Sequence, residues 1–232
     1  MIVQKQLRIC GYNHEKVIFL KIQSNIFNNC SENEINMILS HLCLPIKAYE
    51  KGEYIYRVGD SVRNIGIVIS GSVCIENVDI FGNKSVLAVA RSGEIFAEAY
   101  ACVENQPILV DVVAAEQCEI LFLCVERLFD GKTNCTCKDK IIKNLVMISS
   151  SKNIKLSRRI FHTSSKTVRG RVMSYLSQQS TVQGSKSVTV PFNRQQMADY
   201  LSLDRSALSK ELGKMKRDGI IDYYKNSFKL LK

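Results

Sequence analysis

Between Asn193 and Lys210 the chain carries residues whose types and spacing suit one kind of chemistry. Arg205, Ser206, Ser209 and Lys210 recur at i, i+1, i+4 and i+5, so a helix sets all four on one side. Two cations and two hydroxyls on one face can meet base edges and phosphates in a DNA major groove, which admits an α-helix. Arg194 and Gln195, earlier in the chain, add a cation and an amide suited to phosphate oxygens. The elements that must position them are also readable. Asn193 caps a helix over Arg194–Leu201, with Met197, Ala198 and Leu201 facing in. After the short turn Ser202-Leu203-Asp204, Asp204 caps a second helix over Arg205–Arg217, backed by Leu208, Leu212 and Met215 and stopped by Gly219. Ile220–Tyr224, Lys225-Asn226-Ser227 and Phe228–Leu231 read as strand, turn and strand. Two capped helices, a tight turn and a hairpin predict a winged helix-turn-helix.

Charge separates this segment from the rest. Residues 152–232 carry 17 Lys and Arg against five acids, a net +12, whereas residues 1–151 carry 15 against 17, a net −2. A basic back half behind a nearly neutral front implies two domains with different partners. Double-stranded DNA is the partner that a +12 surface favours, because Lys and Arg that neutralise phosphates release condensed counterions. At 232 residues, 46% apolar and 23% charged, the chain is large enough for two buried cores and is not a disordered tail. No run approaches twenty apolar residues, so no membrane span is expected. Residues 1–19 show no secretory signal, and nine cysteines in that setting fit a reducing cytoplasm, where most stay thiols. None of the nine forms a CxxC pair, which argues against zinc and thioredoxin-like chemistry.

Ahead of the basic segment the pattern changes twice. Ser31 and Glu34 form a capping box for a helix carrying Ile35, Ile38, Leu39 and Leu42 on one face, ended by Pro45. Short β-rich runs follow at Glu53–Arg57, Ile65–Ile69, Val73–Asn77, Ser85–Ala90, Val110–Ala115 and Cys118–Leu123, with turns at Ser70-Gly71-Ser72 and Asp79–Asn83. Many short strands with regular turns predict an antiparallel β-barrel or jelly roll. After Gly131 the periodicity is helical. Ile141, Leu145, Ile148, Leu156 and Ile160 make a seam that a second copy of the chain would bury; folding back on the chain's own barrel is the alternative. The seam is interrupted at Ser149–Lys152. A helix over 166–179, a polar loop 180–187 and a strand 188–190 lead into the capped helices. The expected organisation is therefore α+β: an extension at 1–24, a barrel domain at 25–131, a dimerisation helix at 132–162, and a winged helix-turn-helix at 163–232.

These fragments, in this order, resemble the Crp/Fnr family of bacterial transcription regulators over nearly the whole chain after residue 24. The resemblance rests on Tyr49–Asp60, Ile67–Val73 and Gly93–Glu98 for a cyclic-nucleotide-binding-like barrel. Lys143–Leu145 and Lys152–Ile160 resemble its dimerisation helix, and Asn193–Lys210 its DNA-reading unit. It implies a homodimer on a palindromic operator, with Arg205, Ser206, Ser209 and Lys210 reading bases and Arg194 and Gln195 near phosphates. It also implies an effector-gated activator or repressor, with RNA polymerase as a further partner. Ser206 stands where members often carry Glu, Lys210 where they often carry Arg, and Ser202 where the turn glycine is common. A hydroxyl discriminates less than a carboxylate, and a lysine lacks the bidentate grip on guanine, so no half-site is named.

Members that bind cyclic AMP use a Gly–Glu pair and then an Arg–Ser pair. Here Ala97-Glu98 and Pro107-Ile108 stand at those positions. Proline offers neither a charge nor an amide proton, and a buried phosphate without a cation is costly, so cyclic AMP is not expected. The segment around Ile108, Leu109 and Val112 suits either another small molecule or a filled core. No cofactor is predicted. Cys10, Cys30 and Cys43 are too dispersed for the family's iron–sulfur pattern, and His14, His41, His162 and Cys74 are haem ligands in kind only, which leaves both groups open. Cys135 and Cys137, near the start of the long helix, are the most reactive-looking pair, with a structural role favoured. No GxSxG, HExxH or GxxxxGK[ST] is present, so no enzyme is expected. The competing reading is a regulatory subunit whose basic tail docks an acidic protein; it leaves Asn193–Lys210 without a use.

Overall fold

The computed structural model describes residues 24–78, 84–130 and 136–231. The extension before Ser24, the turn at 79–83, Cys10, His14 and Cys135 lie outside them. The chain forms two compact units that divide between Ser149 and Ser150.

The first unit begins with a 3-10 turn at Asn25–Phe27 and helix α1, Glu32–His41. The capping box forms in both directions: Ser31 N donates to Glu34 Oε2 at 2.7 Å, and Glu34 N to Ser31 Oγ at 3.4 Å. Among the described residues, eight strands follow: β1 Lys47–Tyr49, β2 Tyr54–Tyr56, β3 Asn64–Ser70, β4 Ser72–Val78, β5 Lys84–Arg91, β6 Ile95–Phe96, β7 Asp111–Ala114 and β8 Cys118–Cys124. They make two four-stranded antiparallel sheets, ordered β1-β8-β3-β6 and β2-β7-β4-β5, a jelly roll rather than a closed barrel. Short helices α2, Glu98–Ala101, and α3, Val125–Phe129, interrupt and follow the strands.

Side-chain alternation explains the layering. Ile65, Ile67 and Ile69 of β3 and Leu121 and Leu123 of β8 share one core with Ile38 and Leu42. Val68, Ile120 and Phe122, at the alternate positions, share another with Val73, Val112 and Ile108. The first sheet is thus covered on both faces, which is why β3 and β8 read as nearly continuous apolar runs. Gly66 is required there: a Cβ would stand 2.1 Å from Phe96 Cζ, so only glycine lets that ring lie across β3.

Helix α4, Thr136–Thr163, starts against this unit. Ile141 and Leu145 are buried in the first core, and Ile148 packs against it. Asn144 donates to Ile26 O at 2.9 Å and Asn28 O at 2.8 Å, and Lys140 Nζ reaches Glu34 Oε1 at 2.7 Å. The seam expected to face a second copy is therefore covered by the chain itself from Ile141 to Ile148, whereas Leu156 is 60% exposed. Cys137 is buried and disulfide-bonded, while Cys30, Cys43, Cys74, Cys102, Cys118 and Cys124 are free thiols. Burial pushes the Cys43 thiol up to about 12, which makes it inert at neutral pH.

The second unit holds α5, Val168–Gln183; β9, Ser187–Thr189; α6, Arg194–Tyr200; α7, Arg205–Arg217; β10, Ile221–Tyr224; and β11, Ser227–Leu230. Its sheet is antiparallel in the order β10-β11-β9. Val172, Leu176, Met197, Ala198, Leu208, Leu212, Met215 and Phe228 form one buried core under the three helices. Helix α5 runs to Gln183, four residues beyond the expected end, because Gly184 at φ 63° is the residue able to close it. At the end of α4, His162 is fully buried between Tyr175 and Tyr200, its Nδ1 3.1 Å from the Tyr200 hydroxyl. Among the described residues, no helix is long and apolar enough to cross a membrane.

Candidate nucleic-acid interface

Helices α6 and α7 are each fixed at their starts by side-chain caps. Gln196 N donates to Asn193 Oδ1 at 2.9 Å, and Asn193 N to Gln196 Oε1 at 2.9 Å. Ala207 N donates to Asp204 Oδ1 at 2.9 Å, and the Ser206 hydroxyl donates to the same oxygen. The Ser206 hydrogen bond, then the backbone donors, hold the Asp204 carboxyl below its ordinary range. The cap is therefore an anion at neutral pH, placed where the helix dipole favours one.

With Leu208, Leu212 and Met215 fully buried behind it, α7 turns Arg205, Ser206, Ser209 and Lys210 outward, and all four are exposed. Ser206 is occupied by its bond to Asp204, so its oxygen meets a base as an acceptor unless that bond breaks. Gly213 and the exposed Arg217 continue the same face, and nothing lies within 4 Å of where a Gly213 Cβ would stand. The helical period alone could have found both.

Arg194 and Gln195 have different surroundings. Gln195 is exposed, and its Nε2 donates to Asp199 Oδ1 at 2.8 Å. Arg194 is half-buried: its guanidinium lies over the Tyr223 ring at 5.3 Å and the Phe228 ring at 5.5 Å, and it donates to Lys225 O at 3.2 Å. Burial pulls its pKa below the ordinary arginine value. It fastens the start of α6 to the hairpin, a role its sequence position did not announce. Between them lies an open recess of about 490 Å³, lined by Phe192, Asn193, Arg194, Gln196, Lys225 and Asn226. At the hairpin tip Tyr224 is exposed, with Lys225 Nζ 5.5 Å from its ring centre. Behind α7, Arg169 of α5 pairs with Glu211 at 2.6 Å and Asp218 at 2.8 Å, which sets α7 against α5.

The residues considered for an effector are not assembled in the same way. Ala97 adopts φ 61° at the start of α2, and Glu98 beside it is buried and engaged. Pro107 is exposed. Ile108 is 1% exposed inside the second core, its N donating to Asp60 O and its O accepting from Gly59 N, whereas Leu109 is 60% exposed. The charged side chains buried among the described residues are Glu76, Glu98 and Lys138. Lys138 is held by Asp130 at 2.8 Å and Arg127 O at 2.7 Å, and Glu76 by Lys84 at 2.7 Å. At the position of the Arg–Ser pair, an exposed proline and a core isoleucine supply neither a cation nor a hydroxyl. Cys74 is half-buried and His41 exposed, and no group of three His, Cys, Asp or Glu among the described residues could hold a metal ion.

A family model described as a cyclic nucleotide-binding domain matches residues 46–130, and one described as a Crp-like helix-turn-helix domain matches residues 170–232. Among solved structures, the chain is similar to the catabolite activator protein of Thermus thermophilus, at 20% identity over 89% of this chain and 93% of that one, with a TM-score of 0.51. It is also similar to the c-di-GMP responsive global regulator CLP of Xanthomonas campestris, at 21% identity over 87% and 100%, TM-score 0.55. CprK complexed with OCPA aligns at 14% identity over 86% and 89%, TM-score 0.59. No curated protein matches the chain. At these identities the structural likenesses establish the fold. With a cyclic-nucleotide-binding-like jelly roll followed by a Crp-like helix-turn-helix, the chain belongs to the Crp/Fnr family of DNA-binding transcription regulators.

Proposed function

We propose that this regulator acts as a homodimer in the cytoplasm, reads a palindromic operator through α7, and is gated by something other than cyclic AMP. The observation that carries the reading is the outward set Arg205, Ser206, Ser209 and Lys210 on a capped helix whose opposite side is fully buried. Arg205 supplies the planar fork suited to a guanine edge, Lys210 a point charge, and the two serines short hydroxyls. Gln195, Arg217 and the hairpin lysine Lys225 would lie along phosphates, with Arg194 holding the hairpin in place.

A twofold operator requires a twofold protein. Support for a dimer comes from the side of α4 opposite Ile141 and Leu145. Val146, Met147, Ile154 and Phe161 are exposed there, with Ser150 and Ser157 between them at helical spacing. Apolar side chains on an exposed helix face are stabilised when a second copy covers them, and small serines let two helices approach. Two α7 helices would then read half-sites about 34 Å apart. For the jelly roll, the filled position at Ile108 supports a gate that does not use the cyclic-nucleotide site. An unidentified small molecule, or contact with RNA polymerase, would then shift the population of DNA-competent dimers.

Selection of duplexes from a random pool, followed by fluorescence anisotropy across a salt series, tests the proposal. The expected outcome is an inverted-repeat consensus bound by two chains. Binding with no sequence preference, or one chain per site, would overturn it. Cyclic AMP added at saturating concentration for other members should leave the binding curve where it is.

A further inference from the structure

We propose that Arg171 is the positioning residue that sets the angle between α6 and α7, acting as a staple on the turn that joins them. The inference rests on the proposed DNA reading and names a residue outside the reading face that decides how well that face is presented.

The turn runs from Leu201 to Asp204, and Ser202 sits in it at φ 53°. This is the left-handed region, which glycine enters freely and a residue with a Cβ enters at a cost. Two backbone bonds close the turn, Ser202 N donating to Asp199 O at 3.2 Å and Leu203 N to Ala198 O at 2.9 Å. The Arg171 guanidinium adds a side-chain restraint to them: Nη1 donates to Ser202 O at 2.8 Å and to Leu201 O at 3.2 Å, while Nε donates to Ser165 O at 2.8 Å. Three main-chain carbonyls from two segments thus converge on one half-buried cation. A planar guanidinium delivers these bonds at fixed mutual angles, which the single ammonium of a lysine does not reproduce.

The staple is anchored at its own end. Arg171 lies in the first turn of α5, where Thr167 caps the helix by accepting from Gly170 N at 3.0 Å. A Cβ on Gly170 would stand 2.0 Å from Ser165 Oγ, so glycine at that position lets residues 164–167 close onto α5 and bring Ser165 O within reach. The same first turn holds Arg169, whose ion pairs to Glu211 and Asp218 fix the far end of α7. One turn of α5 therefore restrains both the beginning and the end of the reading helix. Arg205 follows Ser202 by three residues, so a rotation in the turn moves the reading side chains directly.

The test uses the full chain and the duplex that the unaltered protein enriches, with a scrambled duplex as reference. Arg171→Ala and Arg171→Lys should each weaken binding to the enriched duplex about tenfold, the scale of a lost charge-assisted hydrogen bond. Binding to the scrambled duplex and the salt slope should stay unchanged. Ser202→Gly alone should be nearly silent, and combined with Arg171→Ala it should recover most of the loss, because glycine keeps the turn without the staple. A salt slope reduced by about 0.9, with no rescue by glycine, would instead make Arg171 a phosphate contact and overturn the proposal. So would a variant with a lowered melting temperature whose folded fraction keeps full selectivity; Arg171→Lys, which retains the stem and the charge, serves if the alanine variant does not fold. If the unaltered protein enriches no duplex, the DNA reading itself fails, a result distinct from enrichment that Arg171 does not influence.

Discussion

The positions at which this fold can do chemistry are treated oppositely in the two units. In the second, a helix is capped, backed by a solid core and left with its polar side chains in solvent. In the first, Ile108 is packed in the core while its neighbour Pro107 is exposed, and two of the three buried charged side chains among the described residues are carboxylates. The difference teaches that a fold keeps its shape through its apolar layer while individual sites are retained or filled independently.

The comparison can be broken most sharply at Ile108. Ile108→Ala should cost about 2–5 kcal/mol in chemical denaturation, whereas Leu109→Ala, its exposed neighbour, should stay within about 0.5 kcal/mol. Equal effects would mean that the site is open rather than filled. On the reading side, Arg205→Ala should cost about 1–3 kcal/mol of discrimination between the enriched and scrambled duplexes, with the dimer intact by sedimentation. Removing the cap with Asn193→Ala should cost about 1 kcal/mol of stability and should weaken DNA binding less than Arg205→Ala does.

A pH series sharpens the comparison further. Burial pushes the His162 pKa below its ordinary value of 6.5, and the nearby Arg158 charge acts in the same direction. The unfolded chain then binds the extra proton, so stability is present above pH 6.5 and falls as the pH drops through it. His162→Phe should flatten that dependence in thermal melts. At Glu34 the sign is the same but the window is lower: the Lys140 hydrogen bond, then the Ser31 backbone donor, lower its pKa from 4.5 to about 2, so its small contribution is present above pH 4.5 and is lost as the pH falls toward 2. Lys140 is 40% exposed, so water screens the pair and Glu34→Gln should change stability less than Ile108→Ala does.

Helix α7 was legible in the sequence because its signals are local: Asp204 as cap, three apolar positions at helical spacing, and Gly219 as the stop. The strands β1 and β6 were not, because three and two residues carry too little alternation to register. The seam on α4 shows a different limit. Periodicity identifies Ile141, Leu145 and Ile148 as one apolar side but says nothing about what covers it, and the chain covers it with its own α1 and sheet. Arg194 shows the same limit for a cation: its type suggests a phosphate, while its rings, Tyr223 and Phe228, are about thirty residues away in sequence. Long-range partners of this kind leave no mark on neighbouring residues.

Gly213 lies mid-helix on the outward side of α7, with empty space where a side chain would begin. A glycine there weakens a helix by about 0.5–1 kcal/mol relative to alanine, a standing penalty. A side chain introduced here would meet no packed neighbour, so on the proposed DNA reading this notch is the place where α7 gains a new contact, and with it a new operator preference, at no expense to the core.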